Sequence, residues 1–294
     1  MPFFSIITPS FNQGKYLAAC LGSVSHQGDE DYEHIIIDNC STDETVSILA
    51  HYAKKPQAKV IIEPDRGQSE AVNKGFRLAQ GEIICWLNSD DAYLPGTFAQ
   101  LRKAFADPKV AVVFGDVRQV SYDGRLPERA VARFEQRYDL VRWWSNKVKL
   151  HQPAIFFRRS VCEEIGLLKE SLHYAMDYDY WWRLSEQHRF HYLPKELALQ
   201  HRQPDSKTMK AWTKVLKERE KIFSQFYGVL GQESSELKKE RTQTLASHYL
   251  LQAYTAVTKN RRAAWFYLGQ ALQQSPGKVL QASTLGLIRK LCFL

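Results

Sequence analysis

The sequence predicts an α/β protein: a mostly parallel central sheet flanked by helices, followed by a C-terminal helical extension. Three observations carry that reading. Apolar runs of strand length alternate with amphipathic stretches of helical period between Phe3 and Phe114. The run Ile83-Ile84-Cys85-Trp86-Leu87 is apolar throughout, as in a strand buried on both faces, and it ends abruptly at Asn88-Ser89-Asp90-Asp91. From residue 209 onward the pattern is helical, and residues 209–294 hold 14 Lys/Arg against 5 Asp/Glu.

The elements follow in order. Phe3–Thr8 reads as a strand and Gly14–His26 as an amphipathic helix. Tyr32–Asp38 is a second strand. Ser41-Thr42-Asp43-Glu44 then has the form of a capping box, with Ser41 as N-cap and Glu44 three residues on. Lys59–Ile62 is a short third strand, Ser69–Leu78 a helix, Glu82–Leu87 a fourth strand, and Pro95–Phe105 a helix opened by proline. Val110–Phe114 is a fifth strand. Repeated βα units imply right-handed crossovers and parallel pairing. Val117–Tyr122 and Ala154–Arg158 read as further strands, separated by a polar, arginine-rich stretch over 125–137 without periodicity. Met176–Gln187 is a helix, and Phe190–Leu193 and Leu197–Gln200 are short strands. Met209–Tyr227, Glu233–Thr258 and Arg261–Gln274 are helices, the last broken by Ser275-Pro276-Gly277, and an apolar segment, Val279–Leu294, closes the chain.

Composition narrows the function classes. The chain has 294 residues, 44% hydrophobic and 24% charged, enough for a large core in an ordinary globular protein. It contains no run of 18 apolar residues, and Met1–Thr8 has no basic stretch ahead of its apolar run, which reads against a membrane span or a secretory leader. Five cysteines without metal-ligand spacing read as free thiols in a reducing, cytoplasmic compartment. No G-x-G-x-x-G follows the first strand, which disfavours a dinucleotide-binding oxidoreductase. The net charge of +8 belongs entirely to the tail, beside a near-neutral body.

In a parallel sheet the loops after successive strands open on one edge, where open α/β sheets bind ligands. Thr8-Pro9-Ser10-Phe11-Asn12, Asp38-Asn39, Asp65-Arg66-Gly67 and Asn88-Ser89-Asp90-Asp91 all fall at such ends. Carboxylates there can hold a divalent cation against a phosphate, because hard cations take oxygen ligands. Asp38-Asn39 alone would read as a helix-capping turn. Asp43 and Glu44 read as stabilising a helix N-terminus.

These pieces, with Gln68–Gly75, Gln152–Arg159 and Met176–Arg183, resemble inverting family-two glycosyltransferases with the GT-A (Rossmann-like) fold. The resemblance covers about residues 3–208. It implies a GT-A domain over 1–208, with a nucleotide-sugar-binding half at 1–116 and an acceptor-binding half at 117–208, and a basic helical extension at 209–294. By resemblance Thr8, Pro9, Ser10, Asn12, Asp38, Asp65, Gln68, Asn73 and Asp90 would bind the nucleotide sugar, Asp38 accepting from the N3–H of a uracil or thymine ring. Asp90 and Asp91 would divide ribose and metal contacts, the metal being Mg or Mn. Many relatives carry Asp where Asn88 stands. Asn73 and Gly75 read equally as a helix C-cap or as lining of the nucleotide pocket.

Asp177 occupies the family's catalytic acid-pair position, with Met176 in place of the usual Glu or another residue, and is the candidate base. On a helix Asp179 and Arg183 share a face, which reads as a structural ion pair. Trp181 and Trp182 offer a sugar-stacking surface or core, with core favoured for one of them. Relatives often place a metal-binding histidine three residues before a Ser-Lys-Thr run. Here Gln203 stands at that place before Ser206-Lys207-Thr208, and His201 lies two residues earlier, so His201, Gln203 or water would complete the metal shell. His151 is a further polar candidate near the acceptor.

The implied function is inverting transfer of one sugar from a UDP- or dTDP-sugar to a saccharide or lipid-linked acceptor hydroxyl, in bacterial surface polysaccharide or glycoconjugate assembly. No nucleic-acid partner is expected. The Gln-x-x-Arg-Trp motif of processive synthases is absent. The tail would hold the enzyme peripherally at an anionic inner leaflet, or would pack as a helical pair supporting a homodimer. A sugar-nucleotidyltransferase would carry a glycine-rich, lysine-bearing loop after its first strand, which Thr8–Gly14 lacks. A non-catalytic nucleotide-sugar-binding protein would leave the ordered acids at four strand ends without a chemical role.

Overall fold

The computed structural model describes residues 1–121, 127–135, 137–142, 148–202, 211–230, 235–277 and 282–293. The chain divides into two compact units: Met1–Leu140 with Lys147–Pro204, and Val141–Asn146 with Asp205–Leu294. The first is a mixed α/β unit around one sheet, and the second is helical.

The sheet begins with parallel strands β1 (Phe4–Ser10), β2 (Tyr32–Asp38), β3 (Ala58–Ile62) and β4 (Ile83–Trp86) in the order β3-β2-β1-β4. Crossover helices α1 (Gly14–Ser25), α2 (Thr45–Tyr52) and α3 (Gln68–Leu78) join them. Every residue of β1 and β4 is buried, as continuous apolar runs require when helices cover both faces. Register aligns Ser10 with Asp38 and Asp38 with Ile62, so the ends of the first three strands meet. Gly75 lies in mid-helix, and a Cβ there would stand 2.3 Å from the Ile7 side chain. The glycine therefore lets α3 seat against β1; it is neither a C-cap nor pocket lining.

Beyond β4 the sheet becomes mixed. It continues β8 (Ile155–Arg158), β6 (Val112–Ser121), β9 (Phe190–Arg202) and β5 (Ala92–Tyr93), with β7 (Glu128–Ala130) on β6. The two strands expected over 110–122 form one strand, whose register shifts at Gly115 and Asp116. The two expected over 190–200 are likewise one strand, β9, bent alongside that irregularity. The stretch over 125–137 is not wholly irregular either. Buried Asp116 accepts from Arg129 Nε at 2.8 Å, from the Ala132 N–H at 2.8 Å and from the Tyr192 hydroxyl at 2.8 Å, which fastens β7 and the following residues to the sheet.

Helix α4 (Thr97–Ala104) packs Phe98 and Leu101 into a core shared with Phe4, Cys85, Tyr93 and Phe156. Helices α5 (Arg159–Ile165) and α6 (Met176–Gln187) complete the unit. Trp181 and Trp182 are both core, 2% and 1% exposed, so neither offers a stacking surface.

The second unit comprises α7 (Trp212–Leu230), α8 (Ser235–Ala256), α9 (Arg261–Gln274) and α10 (Ala282–Phe293). Asn260 caps α9, its side chain accepting from the Ala263 N–H at 3.0 Å. Leu250, Ala253, Leu268, Ala271, Leu287 and Leu291 form its core. Among the described residues no helix is long and apolar enough to cross a membrane.

Candidate active site

The loops after β1 and β2 are tied together before any ligand arrives. Asn12 has a positive φ of 51°, a conformation asparagine tolerates. Its N–H donates to Ser41 Oγ at 2.8 Å, and its side-chain oxygen accepts from the Thr42 N–H at 2.9 Å. Buried Asp38 accepts from the Ser41 N–H at 2.8 Å and from Ser41 Oγ at 2.6 Å. Ser41 thus braces Asp38 and is not the N-cap of α2, whose cap position is Glu44. Asp43 does serve that helix start, accepting from the Thr45 N–H at 3.0 Å. Asn39 Oδ1 accepts from the Asp65 N–H at 2.9 Å, which fixes the β3 loop beside the β2 loop.

Asp65 is half-buried and accepts from the Gly67 N–H at 2.8 Å. Burial raises its pKa, and the Gly67 hydrogen bond opposes that shift. Gly67 has a φ of 138°, which favours glycine, and opens α3 directly beneath His173.

Two residues of the expected binding set face elsewhere. Thr8 is fully buried and its hydroxyl bonds His34 Nε2 at 2.9 Å, because its side chain points into the helix-covered face of β1. Asn73 is spent on another loop: Nδ2 donates to the Leu168 carbonyl at 2.9 Å and Oδ1 accepts from the Leu168 N–H at 2.9 Å. It is a structural clamp, neither a C-cap nor a nucleotide contact.

That clamp has a consequence for Asp177. Ser69 Oγ donates to the Leu172 carbonyl at 2.7 Å and Arg66 pairs with Glu170 at 2.5 Å, so the segment 167–175 is fastened along the start of α3. Fully buried Asp179 accepts from Lys169 Nζ at 2.7 Å and from Arg183 Nε at 2.9 Å, while Arg183 also donates to the Ile165 and Leu167 carbonyls. The structural ion pair expected from sequence gains Lys169 as a third member. Together these bonds fasten the segment that leads into α6, whose first turn holds Asp177, to the start of α3 beside Asp65 and Gln68. Asp177 accepts from the Tyr178 N–H at 2.8 Å.

At the end of β4 the side chain of Asn88 is the hub of an amide network. Its Oδ1 accepts from Gln68 Nε2 at 2.8 Å and Trp86 Nε1 at 3.0 Å, and its Nδ2 donates to Gln152 Oε1 at 2.9 Å. Gln152 Nε2 in turn donates to the Trp86 carbonyl at 2.8 Å. An aspartate at 88 could not supply the donor that Gln152 requires. The network explains the amide at this position, and Gln152 is a member that sequence reading named only as part of a motif.

Asp90 and Asp91 follow. Pairing of Ala92 with Leu199 brings β9 alongside, and the His201 N–H donates to Asp91 Oδ1 at 3.2 Å. His201 Nδ1 lies 2.5 Å from the Asp90 carbonyl, which can only accept, so Nδ1 donates and Nε2 is the ring nitrogen left for another partner. Burial raises the pKa of Asp91 well above the ordinary carboxylate value, and the neighbouring Asp90 adds to it. Burial raises that of Asp90 as well.

Among the described residues no group of three or more His, Cys, Asp or Glu is arranged to hold a metal ion. The groups there that could bind one are Asp91, a carboxylate whose charge is costly without a cation, and the His201 imidazole held by its Nδ1 against the Asp90 carbonyl. That set fits a divalent cation that completes its shell with substrate phosphates and water. Gln203 and Ser206-Lys207-Thr208 lie outside the described residues. His151 stands half-buried immediately before a 3₁₀ turn formed by Gln152–Ala154. Pro9 and Ser10 end β1, buried and in register with Ile37 and Asp38.

Comparison with known proteins identifies the family. The model of the family described as glycosyl transferase family 2 matches residues 5–166. The PGL/p-HBAD biosynthesis glycosyltransferase of Mycobacterium bovis (strain BCG / Pasteur 1173P2) is 32% identical over 183 residues, 61% of this chain and 68% of that protein. The first such relatives are matched over 66 to 68% of their own length. Among solved structures, S. aureus TarS 1–349 in complex with UDP-GlcNAc superposes with a TM-score of 0.69 at 19% identity, covering 99% of this chain and 90% of that one. The mannosyltransferase PcManGT from Pyrobaculum calidifontis, in complex with GDP-Man and Mn2+, gives 0.58 at 18% identity, covering 99% and 87%. At these identities the structural likeness establishes the fold.

Proposed function

Because the chain belongs to glycosyl transferase family 2, we propose that it is a metal-dependent inverting enzyme moving one sugar from a UDP- or dTDP-sugar to an acceptor hydroxyl. The observation that supports the reading is the linking of the strand ends that carry Asp38, Asp65 and Asp90-Asp91, through Asn39 to Asp65, Gln68 to Asn88 and His201 to Asp90 and Asp91.

In this reading the nucleoside sits against Asp38 and Asp65, whose positions are preset by Ser41, Asn39 and Gly67. Asp91 and His201 hold a divalent cation, Mg or Mn, and Asp90 faces the ribose. When bound, the cation offsets the negative charge that gathers on the leaving diphosphate. Asp177 takes the proton from the acceptor hydroxyl as its oxygen bonds to the anomeric carbon. The bond from that carbon to the diphosphate breaks on the opposite face, its electron pair leaving with the phosphate oxygen, and the configuration inverts. A positioned base of this kind contributes about 10²–10⁴-fold. The acceptor is a saccharide or a lipid-linked acceptor, and relatives are named for PGL/p-HBAD biosynthesis and as chondroitin synthase.

The test is a panel of nucleotide sugars screened by thermal stabilisation and slow donor hydrolysis, with Mn2+ or with a chelator. Stabilisation by a UDP- or dTDP-sugar that needs the metal supports the reading. Stabilisation by none, or metal-independent binding of all, rejects it.

A further inference from the structure

The last acidic residue of the chain is Glu240; from Arg241 to Leu294 there are seven Lys/Arg and no Asp or Glu. Helix α9 buries Ala264, Leu268 and Ala271 along one stripe. Its outward face carries Arg261 and Arg262, followed one turn later by Trp265 and Phe266, 44% and 61% exposed. The Arg261 guanidinium donates to the Leu291 carbonyl, which brings the start of α9 to the end of α10. Arg289 and Lys290, in the last turns of α10, are exposed there as well. Lys259, Arg261 and Arg262 at the start of α9 and Arg289 and Lys290 near the end of α10 are thus all exposed where these two helix ends meet, and Trp265 and Phe266 stand exposed one turn along α9.

A solvated helix face accounts for the basic residues but not for adjacent exposed Trp and Phe. A second copy that paired this face with itself would bring two strongly positive ends together. We infer that this face docks on an anionic lipid surface, the rings entering the headgroup boundary and the basic residues meeting lipid phosphates. Trp and Phe with neighbouring Lys/Arg are the composition that interfacial helices use. Each basic residue near such a surface contributes about 1 kcal/mol, a factor of about five, and the attraction fades within a Debye length. Docking of this kind would confine the chain to the surface where a lipid-linked acceptor resides.

The experiment is co-sedimentation of the full chain with phosphatidylcholine vesicles, with and without phosphatidylglycerol, at low and high salt. It needs no donor or metal, so its outcome is separate from that of the transfer reaction. The wild type should bind only the phosphatidylglycerol vesicles and detach in high salt. Arg262→Gln with Lys290→Gln should weaken binding about thirtyfold. Trp265→Ser with Phe266→Ser should weaken it too, with circular dichroism and melting temperature unchanged. No binding to anionic vesicles, or binding by both double variants as tight as that of the wild type, would overturn the inference. So would a Trp265→Ser, Phe266→Ser change that turns a dimer into a monomer in sedimentation velocity, which would assign the face to a second copy.

Discussion

Asn88 and Gln152 meet side chain to side chain at 2.9 Å, the amide of one donating to the carbonyl of the other. Through this contact the end of β4 is joined to the turn that opens β8, and through Gln68 it is joined to α3. Asn88→Asp keeps the shape but sets a carboxylate oxygen against Gln152 Oε1. Turning Gln152 over would only place its carbonyl against that of Trp86. The variant should lose about 1–3 kcal/mol, read as a melting-temperature fall of about 2–4 °C per kcal/mol. An unchanged melting temperature would show that the network is not holding this edge.

Asp91 stands in a place that favours its neutral form. Its folded-state pKa lies above the unfolded one, so its contribution to stability is full at acid pH and is lost as pH rises through the raised value. Asp91→Asn should therefore match the wild type at acid pH and exceed it toward neutral pH, in thermal melts with a chelator present. With Mn2+ and UDP the order should reverse, because only the wild type gains a ligand. Identical melting curves for the two proteins at every pH would contradict the burial argument.

His201→Ala removes the imidazole but leaves the backbone N–H that serves Asp91. Calorimetry with UDP and Mn2+ should show at least about tenfold weaker binding, while the weak metal-free binding stays the same. Loss of both together would mean that the histidine supports the fold and not the cation.

Asp179→Asn should destabilise the first unit by about 3 kcal/mol, since Lys169 and Arg183 lose a buried shared carboxylate but keep water or carbonyl partners. The segment 167–175 should loosen with it, and turnover should fall more than donor affinity. Chemical denaturation and steady-state kinetics on one preparation separate the two effects.

The strands of the sheet's first half were legible because β1, β2 and β4 are apolar runs with breaks between them, and Met176–Gln187 and Arg261–Gln274 match their helices residue for residue. The second half was harder, since β6 and β9 continue through Gly115, Asp116 and Pro194, residues that locally read as strand ends. Asp38, Asp65 and Asp90-Asp91 stood out as acids at strand ends. Thr8 and Asn73 sit in the same motifs, but their side chains turn inward toward His34 and Leu168, and only the fold reveals that direction. The pairing of His201 with Asp90 and Asp91 depends on β5 meeting β9 across more than a hundred residues, beyond the reach of any local pattern.

The central claim is that donor binding and proton abstraction belong to separate carboxylates. Asp177→Asn measured for UDP affinity with Mn2+ and for sugar transfer tests it most directly. The account predicts affinity near that of the wild type with transfer abolished. Transfer at the wild-type rate, or loss of donor affinity in step with transfer, would contradict it.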